Sequence, residues 1–268
     1  MRLNVFKIEI HASHACNFTC ESCSHFSNNG HKGFISVEEA DEYMGKWSCR
    51  LNPEWFAILG GEPLLNPNIE KILTIARKHW QGPVEIITNG FLLPNFPDLG
   101  PLLQKLNIRL VISKHHNSPE FNEKWNPIIR YLVENNMPHS IRESYNDWTR
   151  RYKSWGPNVL PYEDKRPEAS WNICPAKYCL QIFEGKLYKC PLIAYLKLQK
   201  RRWPDISSKW DNYLEYKPLD HTASDEELYS FINAKYEDIC GMCPAERDQF
   251  DKPSPLITVG ELLSKLKS

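Results

Sequence analysis

Phe6, Ile8 and Ile10 alternate with Lys7, Glu9 and His11. An alternation of period two predicts a strand, here ending just before the first cysteines. Ser36, with Glu39 three residues on, forms a capping box, and Val37, Ala40, Met44 and Trp47 then recur on one helical face. The run 55–59 (WFAIL) predicts a short buried strand closed by Gly60-Gly61. Asn66-Pro67 predicts a cap and a first-turn proline, with Ile69, Ile72, Leu73 and Ala76 as the stripe behind them. Three more strands are predicted at 84–88, 108–112 and 139–143, and Asn126-Pro127 opens a helix running through Val133.

Strands alternating with helices predict an α/β fold, because parallel strands need long crossovers. The unusual residues sit at strand C-terminal ends: the cysteines after the first, Gly60-Gly61-Glu62-Pro63 after the second, Thr88-Asn89-Gly90 at the third and Ser113-Lys114-His115-His116 after the fourth. In a parallel barrel that edge binds ligands.

The texture changes near residue 150. Residues 156–169 are proline-rich and polar and read as a linker. Two apolar runs around Glu184-Gly185 predict a hairpin, and Ser224 with Glu227 predicts a capped helix over 224–237. The expected domains are 1–155 and 156–268.

Charge and composition narrow the class. The chain has 268 residues with 33 basic and 33 acidic side chains. A balanced charge argues against a nucleic-acid partner. No signal peptide or membrane-spanning run is visible, so a cytoplasmic protein with no membrane partner is expected. Nine cysteines in a reducing compartment point to metal binding or catalysis rather than disulfides. They fall into two groups, Cys16, Cys20 and Cys23 against Cys174, Cys179, Cys190, Cys240 and Cys243, with Cys49 alone between them and expected to be buried.

Three thiolates spaced C-x3-C-x2-C can wrap a [4Fe–4S] cube, leaving one iron without a protein ligand. A zinc site completed by His11, His14 or His25 is the alternative. The three cysteines after the first strand, GGEP after the second and Ser113 on the fourth resemble the radical S-adenosylmethionine superfamily over roughly residues 5 to 145. The resemblance implies a partial (β/α)6 barrel. It implies an open iron chelated by S-adenosylmethionine, which is cleaved reductively to a 5′-deoxyadenosyl radical that abstracts hydrogen from substrate. It makes Cys16, Cys20 and Cys23 cluster ligands and sets Gly60 and Gly61 against the methionine. Glu62 is assigned to its ammonium, Ser113 to ribose or carboxylate, and Arg142 to the carboxylate, with Thr88 and Asn89 nearby. The family's usual aromatic before the third cysteine is Ser22 here, which passes the adenine to Phe26 or to a backbone contact.

In the second group, Cys174 and Cys190 flank the hairpin and Cys240-x2-Cys243 follows. The spacing fits structural zinc as well as iron and sulfur. It resembles the twitch domain, the shortened SPASM domain, and implies one auxiliary [4Fe–4S] cluster on Cys174, Cys190, Cys240 and Cys243. The layout is similar to that of the 2-deoxy-scyllo-inosamine dehydrogenase family. The implied architecture is the barrel plus a small hairpin-and-helix auxiliary domain.

Cys179 is read either as packing or as a hydrogen-atom donor, as in radical epimerases. The expected reaction is dehydrogenation or epimerisation of a sugar or aminocyclitol, served by an external low-potential donor such as flavodoxin or ferredoxin. Trp148, Tyr152, Trp155, His115, His116, Asn117 and Arg151 could form a carbohydrate platform. The alternatives are a radical maturase acting on a peptide or protein and, as a non-enzyme, a zinc-binding scaffold.

Overall fold

The computed structural model describes residues 2–249. It contains one seven-stranded sheet, ordered β5-β4-β3-β2-β1-β6-β7. Strands β1 (Leu3–Ser13), β2 (Leu51–Gly60), β3 (Val84–Thr88), β4 (Ile108–Lys114) and β5 (His139–Glu143) lie side by side in chain order, all parallel. The crossovers carry α1 (Val37–Ser48), α2 (Ile69–His79), α3 (Leu99–Leu106) and α4 (Pro119–Glu134). This is an α/β fold with a parallel-dominated sheet, consistent with a partial barrel.

The capping box of α1 forms as the sequence predicts: Ser36 Oγ accepts from Glu39 N at 3.0 Å, and Glu39 Oε2 accepts from Ser36 N at 2.9 Å. Two helix starts differ from expectation. Helix α2 begins after Asn68, because the Asn66 side chain is engaged elsewhere: its Nδ2 donates to Ala12 O at 2.8 Å and Ile35 O at 2.9 Å. Helix α4 begins at Pro119 under a Ser118 cap, and Pro127 lies inside it. Its buried stripe, Phe121, Trp125, Ile128 and Leu132, runs through the proline at helical spacing, so burial outweighs the lost backbone donor.

After α5 (Pro167–Asn172), the predicted hairpin forms from β6 (Cys179–Phe183) and β7 (Lys186–Tyr188). Its turn residues, Glu184 and Gly185, both have positive φ, the geometry that matches strand twist in a two-residue turn. The hairpin is not separate from the barrel sheet. Strand β6 pairs in parallel with β1, from Lys7 against Cys179 to Ile10 against Ile182. The pairing inserts the first residue of the C-terminal hairpin beside the middle of β1.

Helices α6 (Pro191–Arg202), α7 (Asp211–Leu214) and α8 (Asp225–Asn233) complete the described chain; α8 carries the predicted Ser224–Glu227 box. The remainder of the expected second domain, 250–268, lies outside the described residues. One apolar core packs α1–α4 on the sheet; a second gathers Phe26, Tyr152, Val159, Tyr188, Tyr195 and Trp210 around α6. The expected linker is packed rather than free. Val159 is fully buried, Tyr162 N donates to Met242 O at 2.9 Å, and Lys165 N donates to Gly241 O at 3.1 Å.

Candidate active site

The loop after β1 carries Cys16, Cys20 and Cys23 into one cavity of about 260 Å³. Gly60, Gly61, Thr88, Asn89, Ser113 and Arg142, from the C-terminal ends of β2 to β5, line it too. Ser113 and Arg142 are register partners across β4 and β5. Ser113 is buried, whereas Arg142 is largely exposed at the rim.

The glycines have a local cause. Gly61 N donates to Ser13 O at 2.9 Å and Glu62 N to Ala15 O at 2.8 Å, so the turn runs against the backbone of the cysteine loop. A Cβ on Gly60 would overlap Ser13 O, and one on Gly61 would overlap Ala15 O. Only residues without a side chain let β2 hold that loop so closely.

Glu62 does not line the cavity. It is fully buried behind the wall, where Oε1 accepts from Thr88 Oγ1 at 2.6 Å and Leu64 N at 3.1 Å, and Oε2 accepts from Asn89 N at 2.9 Å. Burial pushes its carboxyl up to about 7, and the three donors pull the other way. The side chain ties the glycine turn to the end of β3.

The thiols of Cys16, Cys20 and Cys23 are all pushed above their ordinary range, first by burial. Mutual repulsion adds to this, since the charge of Cys20 raises Cys16 and that of Cys23 raises both. Cys20 Sγ lies 3.7 Å from His115 Nδ1. Burial and then the charge of Arg142 lower His115 to about 4. Buried thiols that repel one another are a donor set that a cationic cluster would satisfy. His11 instead contacts both His14 and His25, with its Nε2 2.6 Å from His25 Nδ1 and its Nδ1 3.2 Å from His14 Nδ1. Among the described residues no group of three or more His, Cys, Asp or Glu is arranged to hold a metal ion.

The second cysteine group meets the first. Cys174, Cys179, Cys190 and Cys243 line the same cavity. Cys174, Cys190, Cys240 and Cys243 also surround an adjoining space of about 40 Å³ walled by Trp171, Lys189 and Met242. Burial again raises the thiols of Cys190, Cys240 and Cys243, the last to about 12, and the charge of Cys174 adds to each. Cys179 stands apart at the start of β6, where burial and then the charge of Glu9 push its thiol well up.

Several expected neighbours are placed elsewhere. Phe26 is fully buried in the second core, stacked on Tyr152 at 4.7 Å, so it offers no face to an adenine. Ser22, buried with φ of 53°, accepts from Arg151 N at 2.7 Å through Oγ, a bond that an aromatic residue could not make. Trp148, His115 and Arg151 line the cavity; Tyr152 is buried, and Trp155, His116 and Asn117 do not line it. Cys49 is exposed rather than buried, its Sγ donating to Lys46 O at the end of α1.

The sequence pattern missed Glu9. It is buried on the cavity wall, accepting from Gln181 Nε2 at 2.7 Å and paired with Lys7 at 3.5 Å, while Lys7 also meets Glu85 at 2.8 Å. Period-two alternation assigns such residues to solvent, yet here that face is the barrel interior. Two charged residues amid Ile8 and Ile10 were the available signal.

Residues 10–138 match the family model of the Radical SAM superfamily. That segment, a little under half of the chain, is similar to radical SAM domains. Over 118 residues the chain is 31% identical to a probable GTP 3′,8-cyclase of Aeropyrum pernix, covering 41% of this chain and 32% of that protein. Over 127 residues it is 28% identical to the GTP 3′,8-cyclase of Aquifex aeolicus, covering 46% and 38%. The chain thus spans about a third of the length of these relatives. The fold is shared with BtrN in its crystal structure with AdoMet and 2-DOIA: TM-score 0.54, 15% identity, 95% of this chain and 100% of that one. The superfamily implies a [4Fe–4S] cluster and S-adenosylmethionine. No helix among the described residues is long and apolar enough to cross a membrane.

Proposed function

We propose that the chain is a radical S-adenosylmethionine enzyme that oxidises or epimerises a carbon of a small polar substrate, of the sugar or aminocyclitol class. The observation that carries this reading is the convergence of both cysteine groups, with Ser113, Arg142 and the glycine turn, on one cavity. Cys16, Cys20 and Cys23 would hold the first [4Fe–4S] cluster and Cys174, Cys190, Cys240 and Cys243 an auxiliary one. When bound, the first cluster and S-adenosylmethionine supply a 5′-deoxyadenosyl radical, and the second supplies an electron acceptor. We assign residues 1–155 to the radical core and the rest to a twitch-like auxiliary unit whose hairpin extends the core's sheet.

The chain's own residues then have distinct tasks. Arg142 suits the methionyl carboxylate as a planar two-point donor, and Ser113 faces the same ligand. Gly60 and Gly61 keep the wall thin, and Glu62 fixes it from behind. Oxidation of a carbinol removes a hydrogen atom, an electron and the hydroxyl proton, and Glu9 is the carboxylate on the cavity wall able to take that proton. In an epimerisation, Cys179 would return a hydrogen atom, and the thiyl left on it would be restored by one electron from the external donor and a proton. The raised pKa of Cys179 keeps it as S–H, the form that can donate a hydrogen atom. An external low-potential donor, of the flavodoxin or ferredoxin kind, would start each cycle.

The cations lining the cavity are Arg142 and Arg151, set against Glu9. That balance suits hydroxyl- or amino-bearing substrates better than a triphosphate. The test is anaerobic reconstitution, followed by iron and sulfide counts for the parent chain and its Cys16/Cys20/Cys23→Ala variant. About eight irons falling to about four is expected. A screen with S-adenosylmethionine and dithionite would then seek 5′-deoxyadenosine stimulated by aminocyclitols or sugars, with GTP and peptides as competing classes. Zinc in place of iron at both sites would refute the proposal. Stimulation by peptides alone would move it to the maturase class.

A further inference from the structure

A second cavity, of about 470 Å³, lies between α1 and α6 and shares no lining residue with the cavity of the cysteines. Strand β1 divides the two. Glu9 lines the first, and Ile10, on the opposite face of the pleat, lines the second. Ile10 is paired in register with Ile182, which lines it as well. Ile35, Phe183 and Leu198 extend this apolar lining. Phe34 and Tyr43 add aromatic rings, and Phe34 is 48% exposed, so its face is open to a ligand.

The charges around this cavity do not cancel. Lys32, Arg201 and Arg202 line it against Glu39 and Glu184. Both acids are engaged. Glu39 accepts from Ser36 N at 2.9 Å in the cap of α1, and Glu184 Oε1 lies 2.6 Å from Arg201 Nη2. Lys32 and Arg202 form no ion pair among the described residues. The Arg202 guanidinium rests 5.0 Å from the centroid of the Trp203 ring, a contact that holds the side chain without neutralising it. His31 is 5% exposed and lines the same cavity, and its Nε2 has no hydrogen-bond partner among the described residues. A buried ring nitrogen left unpaired is a cost that a hydrogen-bonding ligand removes.

We propose that this cavity is a second ligand site, which takes a small aromatic or apolar molecule bearing one carboxylate or phosphate group. The apolar part would lie against Phe34, Ile35 and Phe183. The anionic group would meet Lys32 and Arg202, with His31 as its neutral hydrogen-bonding neighbour. Small-molecule sites of about 300–1,000 Å³ are built in this way, from an apolar lining and a few placed polar groups. The site needs neither a cluster nor the radical chemistry proposed above, so it stands or falls separately from that reading.

The test is calorimetric titration of the anaerobically reconstituted full chain in saturating S-adenosylmethionine. The probes are phenyl phosphate, benzoate, inorganic phosphate and phenol. One-to-one binding of phenyl phosphate, of benzoate or of both is expected, with inorganic phosphate and phenol each about tenfold weaker or more. The tighter of the two aromatic acids tells phosphate from carboxylate. Lys32→Glu and Arg202→Glu change exposed positions, and each should weaken the aromatic acids about tenfold while leaving phenol unchanged. Thermal unfolding of both variants checks the fold, and Lys32→Glu decides if Arg202→Glu is unstable. Arg142→Gln, at the rim of the main cavity, should leave the affinity for the acids as it is. No binding of either acid at millimolar concentration overturns the proposal. Phenol or inorganic phosphate binding as tightly as the aromatic acids also overturns it, since the site would then not require both halves of the ligand. So does affinity that is lost in R142Q and kept in K32E and R202E, which would move the acids to the main cavity.

Discussion

Glu62 should leave a measurable signature in the dependence of stability on pH. Its carboxyl is fully buried and titrates near 7, against an ordinary value of 4.5. The folded chain therefore holds this proton more tightly than the unfolded chain. Stability from the group is fully present below pH 4.5 and is lost as pH rises through about 7. The gap corresponds to about 3 kcal/mol in the limit, of which about 2.5 kcal/mol falls between pH 5 and pH 8. The buried histidines slope the other way. His14, His31 and His115 are each lowered to about 4, mainly by burial, so they cost stability as pH falls below 6.5. The raw profile is thus a compromise, and the informative quantity is a difference. Glu62→Gln removes the titration and leaves the histidines in place. Urea unfolding of the metal-free, fully reduced chain at pH 5, 6, 7 and 8 gives that difference directly. Parent minus variant should fall by about 2.5 kcal/mol across the range, whatever constant offset the amide introduces at Asn89 N. A flat difference would mean that Glu62 does not titrate in this window and that its three donors outweigh its burial.

Gly61→Ala should cost about 3 kcal/mol or more in thermal or urea unfolding, because the methyl meets backbone at Ala15 rather than a side chain that can move. Gly156→Ala, at φ of +60° but with open space around it, should cost only about 1 kcal/mol. Equal losses would remove the close-approach argument for the glycine turn. Iodoacetamide should label exposed Cys49 well before Cys179, which is only partly exposed and whose thiol is hard to ionise. Comparable rates, read by peptide mass spectrometry, would contradict the placement of Cys179.

The parallel scaffold was legible because β2, β3 and β4 carry apolar runs; the expected 84–88 and 139–143 coincide with β3 and with the more polar β5. The candidate site edge was legible because Cys16, Cys20 and Cys23, Gly60-Gly61, Thr88-Asn89 and Ser113 sit at or just after strand ends. Helix starts were less so. Proline marks a permitted first turn but does not require one, and at Pro127 the apolar stripe decided the matter. What stayed hidden was long-range. Nothing local shows that a hairpin at 179–188 pairs with the first strand, yet that pairing sets Cys179 opposite Lys7. It also closes the wall on which Glu9 and Gln181 meet, 172 residues apart in sequence.

The same pairing bears on how the two cysteine groups work together. Had the hairpin belonged only to an appended module, its cysteines could sit anywhere a tether allows. Hydrogen-bonded to β1, it shares a rigid element with the loop that carries Cys16, Cys20 and Cys23. Trp47 Nε1 donates to Gly185 O at 2.9 Å and ties the hairpin turn to α1 as well. The place of Cys179, and of Cys190 two residues beyond β7, relative to that loop is therefore set by sheet register, which side-chain changes at the periphery do not alter. A reaction that needs hydrogen removed on one side of a substrate and an electron taken on the other depends on that fixed spacing. A seven-stranded sheet that includes the hairpin supplies it, where a five-stranded one would leave it to the linker.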